Sequence, residues 1–143
     1  MDISKSFVPA FGRLLLAVIF VMSGLSKLTA PAATIGYISS AGLPAPQLAY
    51  VIALIAELGG GILLIVGFQT RITALGLAIF TVAAALGFHA NFADQNQMIH
   101  FLKNFAIAGG LLQVAAFGAG DFSLDARFAH TKASGARAAG HRL

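Results

Sequence analysis

Four apolar runs, roughly 8–28, 48–67, 70–89 and 100–118, divide this chain, and a glutamate, Glu57, sits in the middle of the second. A helix needs about 20 such residues to cross a bilayer. In the hydrocarbon only a helix or a closed barrel can satisfy its own backbone. The chain therefore reads as all-α, an integral membrane four-helix bundle. Composition agrees: charged residues are 10% of the chain and apolar ones 58%, where a soluble domain carries about a quarter charged. The 143 residues allow one bundle, 1–125, and no second domain. Residues 126–143 read as a basic, disordered tail.

The connections are readable too. "AATIGYISSAGLP", between the first two runs, suits a short interfacial helix before a proline-bounded turn. "FQTR" makes the second and third runs a tight antiparallel hairpin. Four spans leave both termini on one side with that hairpin, and with Lys5, Arg71, Arg127, Lys132, Arg137 and Arg142. The positive-inside rule then places both termini in the cytoplasm, N-in and C-in, in a bacterial inner membrane. The first run also resembles a signal peptide followed by "APAA", but Lys27 before the supposed cleavage site argues against that. The net charge of +4 is no nucleic-acid signature, because four of nine cations fall in the last seventeen residues. It suits a tail beside anionic lipid.

A carboxylate inside a span costs several kcal/mol unless it is neutralised or paired. Glu57 has few candidate partners: Arg13, Lys27, His89 and Lys103. Helical side chains lean toward their helix N-terminus. With alternating spans, Lys27 and His89 lean toward the midplane from the outer side and Glu57 leans outward to meet them. Lys103 lies at that level. Arg13 leans toward the cytoplasm, where it can snorkel. The expected site is therefore Lys27, Glu57, His89 and Lys103 in the outer half of the bundle. His100, Lys103 and Asn104 share one stripe of the fourth span, and Ser23 is one turn from Lys27 and can share its hydrogen bonds.

Each residue also has a plainer role. Glu57 can be an ion-pair glue between helices, Lys27 an interfacial anchor, the two histidines headgroup-level polar residues, and Arg13 and Arg71 determinants of topology. Ala53, Ala56, Gly59, Gly60 and Gly61, with Ala106, Ala108, Gly109 and Gly110, read as helix-packing positions. Gly60 and Gly61 keep a second option, opening room beside Glu57.

Five words, "GRLLLAVIFVMSGLSKL", "AELGGGILLIVGFQTRITALGLAIF", "FH" at 88–89, "FLKNFAIAGGLL" and "GAGDFSLD", stand in order over residues 11–125. Together they resemble the DoxX family of small bacterial four-helix membrane proteins, relatives of the membrane subunit of thiosulfate:quinone oxidoreductase. The resemblance implies this fold and location, and less tightly a redox role. The family's polar words fall on Arg13, Lys27, Glu57, Arg71, His89, Lys103 and Asn104.

Two functions follow. One is a quinone-linked redox subunit: Lys27, Lys103, Asn104, His89 and Arg13 bind, Glu57 and His89 handle protons, and Phe20, Phe80, Phe88, Phe101 and Phe105 wall a slot. With no cysteine and no histidine deep in a span, no haem or iron–sulfur cluster is expected on this chain alone. Electrons would come from a partner subunit or a small anion such as thiosulfate. The other is a non-enzymatic scaffold, solute carrier or assembly partner, acting as a homo-oligomer or with another protein. A rim metal site from His89, His100 and Met98 is a thinner idea, and no metal is assigned.

Overall fold

A computed structural model of the chain describes residues 3–140, and the side chains of 7–134. The Lys5, Arg137 and Arg142 side chains, on which part of the charge argument rests, lie outside the described residues. All regular structure in that range is helical: α1 (Ile3–Thr29), α2 (Pro31–Ser40), α3 (Pro46–Leu54), a π-helical turn (Ile55–Gly59), α4 (Gly60–Val66), α5 (Thr70–Phe88), α6 (Gln95–Phe117) and α7 (Leu124–Gly140). Four helices are long and apolar enough to cross a membrane: Phe7–Thr29, Pro46–Val66, Thr70–Phe88 and Gln95–Phe117. The second is α3, the π turn and α4 in one continuous rod. Pro31 and Pro46 open α2 and α3 at the first turn, where a missing N–H costs nothing.

The bundle inverts the size order of a soluble core. Its centre is Ala17, Phe20, Leu64, Ala74, Leu77, Ala78, Ala108 and Leu111, half of them alanine. Large side chains such as Ile55, Ile72 and Ile79 point outward. Lipid is as apolar as leucine, so helices associate by close backbone approach rather than by burying large residues. Glycines do the same work. A Cβ on Gly24 would come within 2.6 Å of Leu58, and one on Gly61 within 2.7 Å of Val21. Gly60 presses on Leu77 in the same way. Gly60 and Gly61 are therefore contact points of the second rod with α5 and α1, and neither lines the two cavities beside Glu57, contrary to the second option above.

The end of the bundle that carries the termini is knitted by polar side chains. Arg13, 2% exposed, donates to the Leu64 carbonyl at 3.0 Å and the Phe122 carbonyl at 2.6 Å. It does not snorkel, because those two carbonyls give its guanidinium a better shell than the bilayer surface would. Gly67, at φ 67°, makes this possible: any Cβ there would strike the Arg13 guanidinium. Arg71 donates to the Ala116 carbonyl at the end of α6, at 2.7 Å, satisfying one of the carbonyls a helix end leaves orphaned. The Asp125 carboxylate accepts from the amides of Gln69 (2.8 Å) and Thr70 (2.9 Å), capping α5. The Asp125 amide donates back to Gly67.

Burial acts most strongly on the Asp125 carboxyl and opposes its charge. The amides of Thr70 and Gln69 and the nearby Arg13 charge outweigh it, so the group titrates below the ordinary carboxylate range. A depressed carboxyl contributes stability above its unfolded pKa and loses it as pH falls through the folded one. Asp125→Ala is expected to lower stability by about 1 kcal/mol at neutral pH. It should also remove that share of the wild type's acid sensitivity, both read from thermal unfolding in detergent at neutral and acid pH. Equal melting of the two proteins at neutral pH would disprove the cap.

Residues 124–140, expected to be largely unstructured after 126, form helix α7. Its first turn docks through Asp125 and through Phe128, whose ring meets Phe68 edge-on. Residues 127–134 are otherwise exposed, so little tertiary packing holds that stretch.

Candidate functional site

Glu57 lies within the π turn, 6% exposed. Such turns are rare and gather at functional sites. Across from it, α1 offers Ser23 and Lys27, one helical turn apart and so on one face. Lys27 Nζ donates to Glu57 Oε1 at 2.9 Å and to Ser23 Oγ at 2.7 Å; Ser23 Oγ donates to the same Oε1 at 3.1 Å. The close approach of α1 at Gly24 sets that spacing. Tyr50 holds the top of α1 by donating to the Lys27 carbonyl. One carboxylate oxygen is thus saturated. The other, Oε2, is buried with no hydrogen-bond partner among the described residues.

Glu57 faces a cavity of about 430 Å³. Its polar lining includes Lys27, His89 and Asn104; its apolar walls include Ile52, Phe80 and Phe88. Helix α2 covers it, with Tyr37 stacked on Phe88 at 5.4 Å. The Asn104 side chain makes no hydrogen bond among the described residues, so its amide is available to a ligand in the cavity. A smaller cavity of about 140 Å³ adjoins this one and also has Glu57 and Asn104 in its wall.

The structure sorts the candidate residues. It brings Lys27, Glu57, His89 and Asn104 around one space. His89 is held at the rim, sharing a 2.8 Å hydrogen bond with Gln97 Oε1 and stacked on His100 at 5.1 Å, without touching Glu57. Lys103 does not belong to the group. It is exposed and lines neither cavity, because successive helical residues diverge by about 100° and Asn104 is the one that faces in. Arg13 lies outside the group too: it lines neither cavity, and its two terminal nitrogens donate to Leu64 and Phe122 near the opposite end. Phe101 and Phe105 meet at a tilt, 4.7 Å between ring centres, and line neither cavity. The two stacked histidines gain no third ligand: among the described residues no three His, Cys, Asp or Glu gather as a metal site. Sequence reasoning passed over Thr34 and Tyr37 in the lid, whose aromatic-and-hydroxyl pattern in a proline-bounded loop was the available signal, and over Asp125. The π turn has no local sequence signature.

A family model described as DoxX matches residues 8–90. Inner membrane protein YqjF of Escherichia coli (strain K12) is 42% identical over 79% of this chain and 85% of its own length. Inner membrane protein YphA of the same organism is 37% identical over 80% and 86%. CatD of Bacillus subtilis (strain 168), whose name proposes an oxidoreductase without asserting one, is 40% identical over 52% of this chain and 54% of its own. No solved structure matches the chain.

Proposed function

The chain belongs to the DoxX family and is a multi-pass inner-membrane protein, and from that premise we propose that it binds a quinone head group as the membrane subunit of a quinone-linked oxidoreductase. The observation that carries this reading is the divided carboxylate of Glu57. Oε1 is used up by Lys27 and Ser23, whereas Oε2 is buried without a partner beside a cavity. A carboxylate needed only as glue has no reason to leave its second oxygen without a protein partner, since that costs about 1–3 kcal/mol.

The residues present fit a quinone. Lys27 and the Asn104 amide are donors for ring carbonyls, the Glu57 carboxylate is an acceptor for a quinol hydroxyl once a small rotation brings Oε2 to the cavity surface, and Phe80 and Phe88 offer flat apolar walls. When bound, a quinone supplies two-electron, two-proton chemistry. Glu57 takes or returns a proton at Oε2, while Lys27 and Ser23 hold its other oxygen still. His89 at the rim stands between Glu57 and the surface as a proton relay. Electrons come from outside the chain, from a partner redox protein or a small reductant; the name of CatD points the same way. On the expected orientation, with both termini in the cytoplasm, the site faces the periplasmic half.

The test is extraction. Protein taken from native membranes in mild detergent should carry quinone, and Glu57→Gln should lose most of it while melting within a few degrees of wild type. The glutamine keeps the shape and a hydrogen-bond acceptor for Lys27. Quinone missing from the wild type, or retained in full by the variant, would leave the scaffold reading as the better one.

A further inference from the structure

Two cavities meet at Glu57. The larger lies under α2. The smaller, of about 140 Å³, shares Ser23, Glu57, Phe80 and Asn104 with it and then continues between α1 and α6 to Ile19 and Ile107. Below that level the two helices touch: a Cβ on Gly110 would lie 3.2 Å from Leu16. Above it they part. Ile19 is 48% exposed, so the gap reaches the outer surface of the bundle. Ile19 lies twelve residues from one end of its span and ten from the other, and Ile107 is placed identically in its own. The gap therefore opens at mid-span, where only hydrocarbon can lie outside.

The larger cavity has a lateral mouth too, at Ile52 and the exposed Ala83. Ile52 is nearer the end of its span, five residues before Glu57, or about 7.5 Å along the axis. An opening there leads toward the interfacial zone. The two mouths are unequal, and only the α1–α6 gap connects the polar site with the depth at which a long apolar chain is at home.

We propose that the gap between α1 and α6, bounded by Ile19 and Ile107, is the portal through which the isoprenoid tail of a membrane quinone leaves the site while its ring stays at Glu57 and Asn104. This rests on the quinone reading and adds to it a direction of entry and a ligand class: an amphiphile with one small polar head and one long linear tail. Phe20, Phe80 and Ile107 supply an apolar channel wall, and entry from the side spares the ligand any crossing of the headgroup layer.

The two mouths can be closed one at a time. Ile19→Trp places a large ring across the α1–α6 gap, at an exposed position where folding tolerates it. Ile52→Trp does the same at the other mouth. Quinone-depleted protein is titrated with octaprenyl ubiquinone and with the same ring carrying a methyl group in place of the tail. Ile19→Trp should weaken the long-tailed ligand by at least about tenfold, or 1.4 kcal/mol, and leave the tail-less ring within twofold; Ile52→Trp, in the wall of the head-group cavity, should change both ligands by the same factor. The reverse pattern, or an equal loss of both ligands in Ile19→Trp, overturns the portal, as does full retention of the long-tailed ligand by that variant. Wild-type protein that binds neither ligand removes the head-group site itself, and the portal with it.

Discussion

Arg13→Leu is expected to destabilise the bundle by roughly 3–6 kcal/mol, because it removes two hydrogen bonds from a charged donor, each worth about 1.5–3 kcal/mol. The Leu64 and Phe122 carbonyls lose their donor together. No water replaces it at a site where Arg13 is 2% exposed. The connection after α6 then loses its buried anchor to the α4–α5 hairpin and keeps contacts nearer the surface, among them those of Asp125, Arg71 and Phe128. Arg13→Lys should fall between wild type and Leu: an ammonium on a flexible stem reaches one carbonyl well and two poorly. The buried Nε, which has no partner, is a small offset in leucine's favour. Thermal unfolding in one detergent, with the three proteins side by side, reads the order. A loss below about 1 kcal/mol for Arg13→Leu, the range of an exposed pair, would show that the arginine is peripheral after all.

Lys27→Met is the second large effect, and it should exceed that of Glu57→Gln. The pair is lopsided: the Lys27 side chain is 27% exposed and that of Glu57 only 8%. Without Glu57, the lysine can turn its ammonium toward the nearby surface. Without Lys27, Glu57 keeps one neutral hydroxyl, Ser23, for a charge inside the bundle. Breaking a fully buried pair costs about 3–5 kcal/mol; allowing for the exposure of Lys27, about 2–3 kcal/mol is expected here. Glu57→Gln should stay under about 1 kcal/mol. The double variant Lys27→Met, Glu57→Met should recover most of the stability, since an apolar pair of similar volume is often as stable as the ion pair it replaces. It should bind no quinone. The comparison thus separates glue from function: a double variant that is stable yet empty assigns the pair to ligand handling. A Lys27→Met protein as stable as wild type would mean that the contact contributes nothing to holding α1 on the second rod.

Much of this molecule was legible before any coordinates. The four spans follow from hydropathy and length, since every backbone group in lipid must be satisfied within its own helix. The helical interlude at Pro31–Ser40 and the tight turn at Gly67–Gln69 follow from proline and glycine placement. The meeting of Lys27 with Glu57 follows from depth and from the lean of helical side chains, both nearly independent of how the helices pack.

Rotation about the helix axis is another matter. Lys103 and Asn104 have the same depth, and both are polar; only packing decides which one turns inward. Arg13 has the right depth to snorkel, and only the arrival of the Phe122 carbonyl, far along the chain, gives it a reason to stay buried. The π turn at Ile55–Gly59 and the free oxygen of Glu57 arise from how α1, α5 and the second rod meet. Sequence by itself determined which segments cross and at what depth their charges sit, because hydrophobic length and side-chain reach are local properties. The tertiary structure alone decided which faces meet and where space is left between them, because in lipid that choice rests on close contacts of small residues such as Gly24, Gly61 and Gly110 with partners distant in the chain.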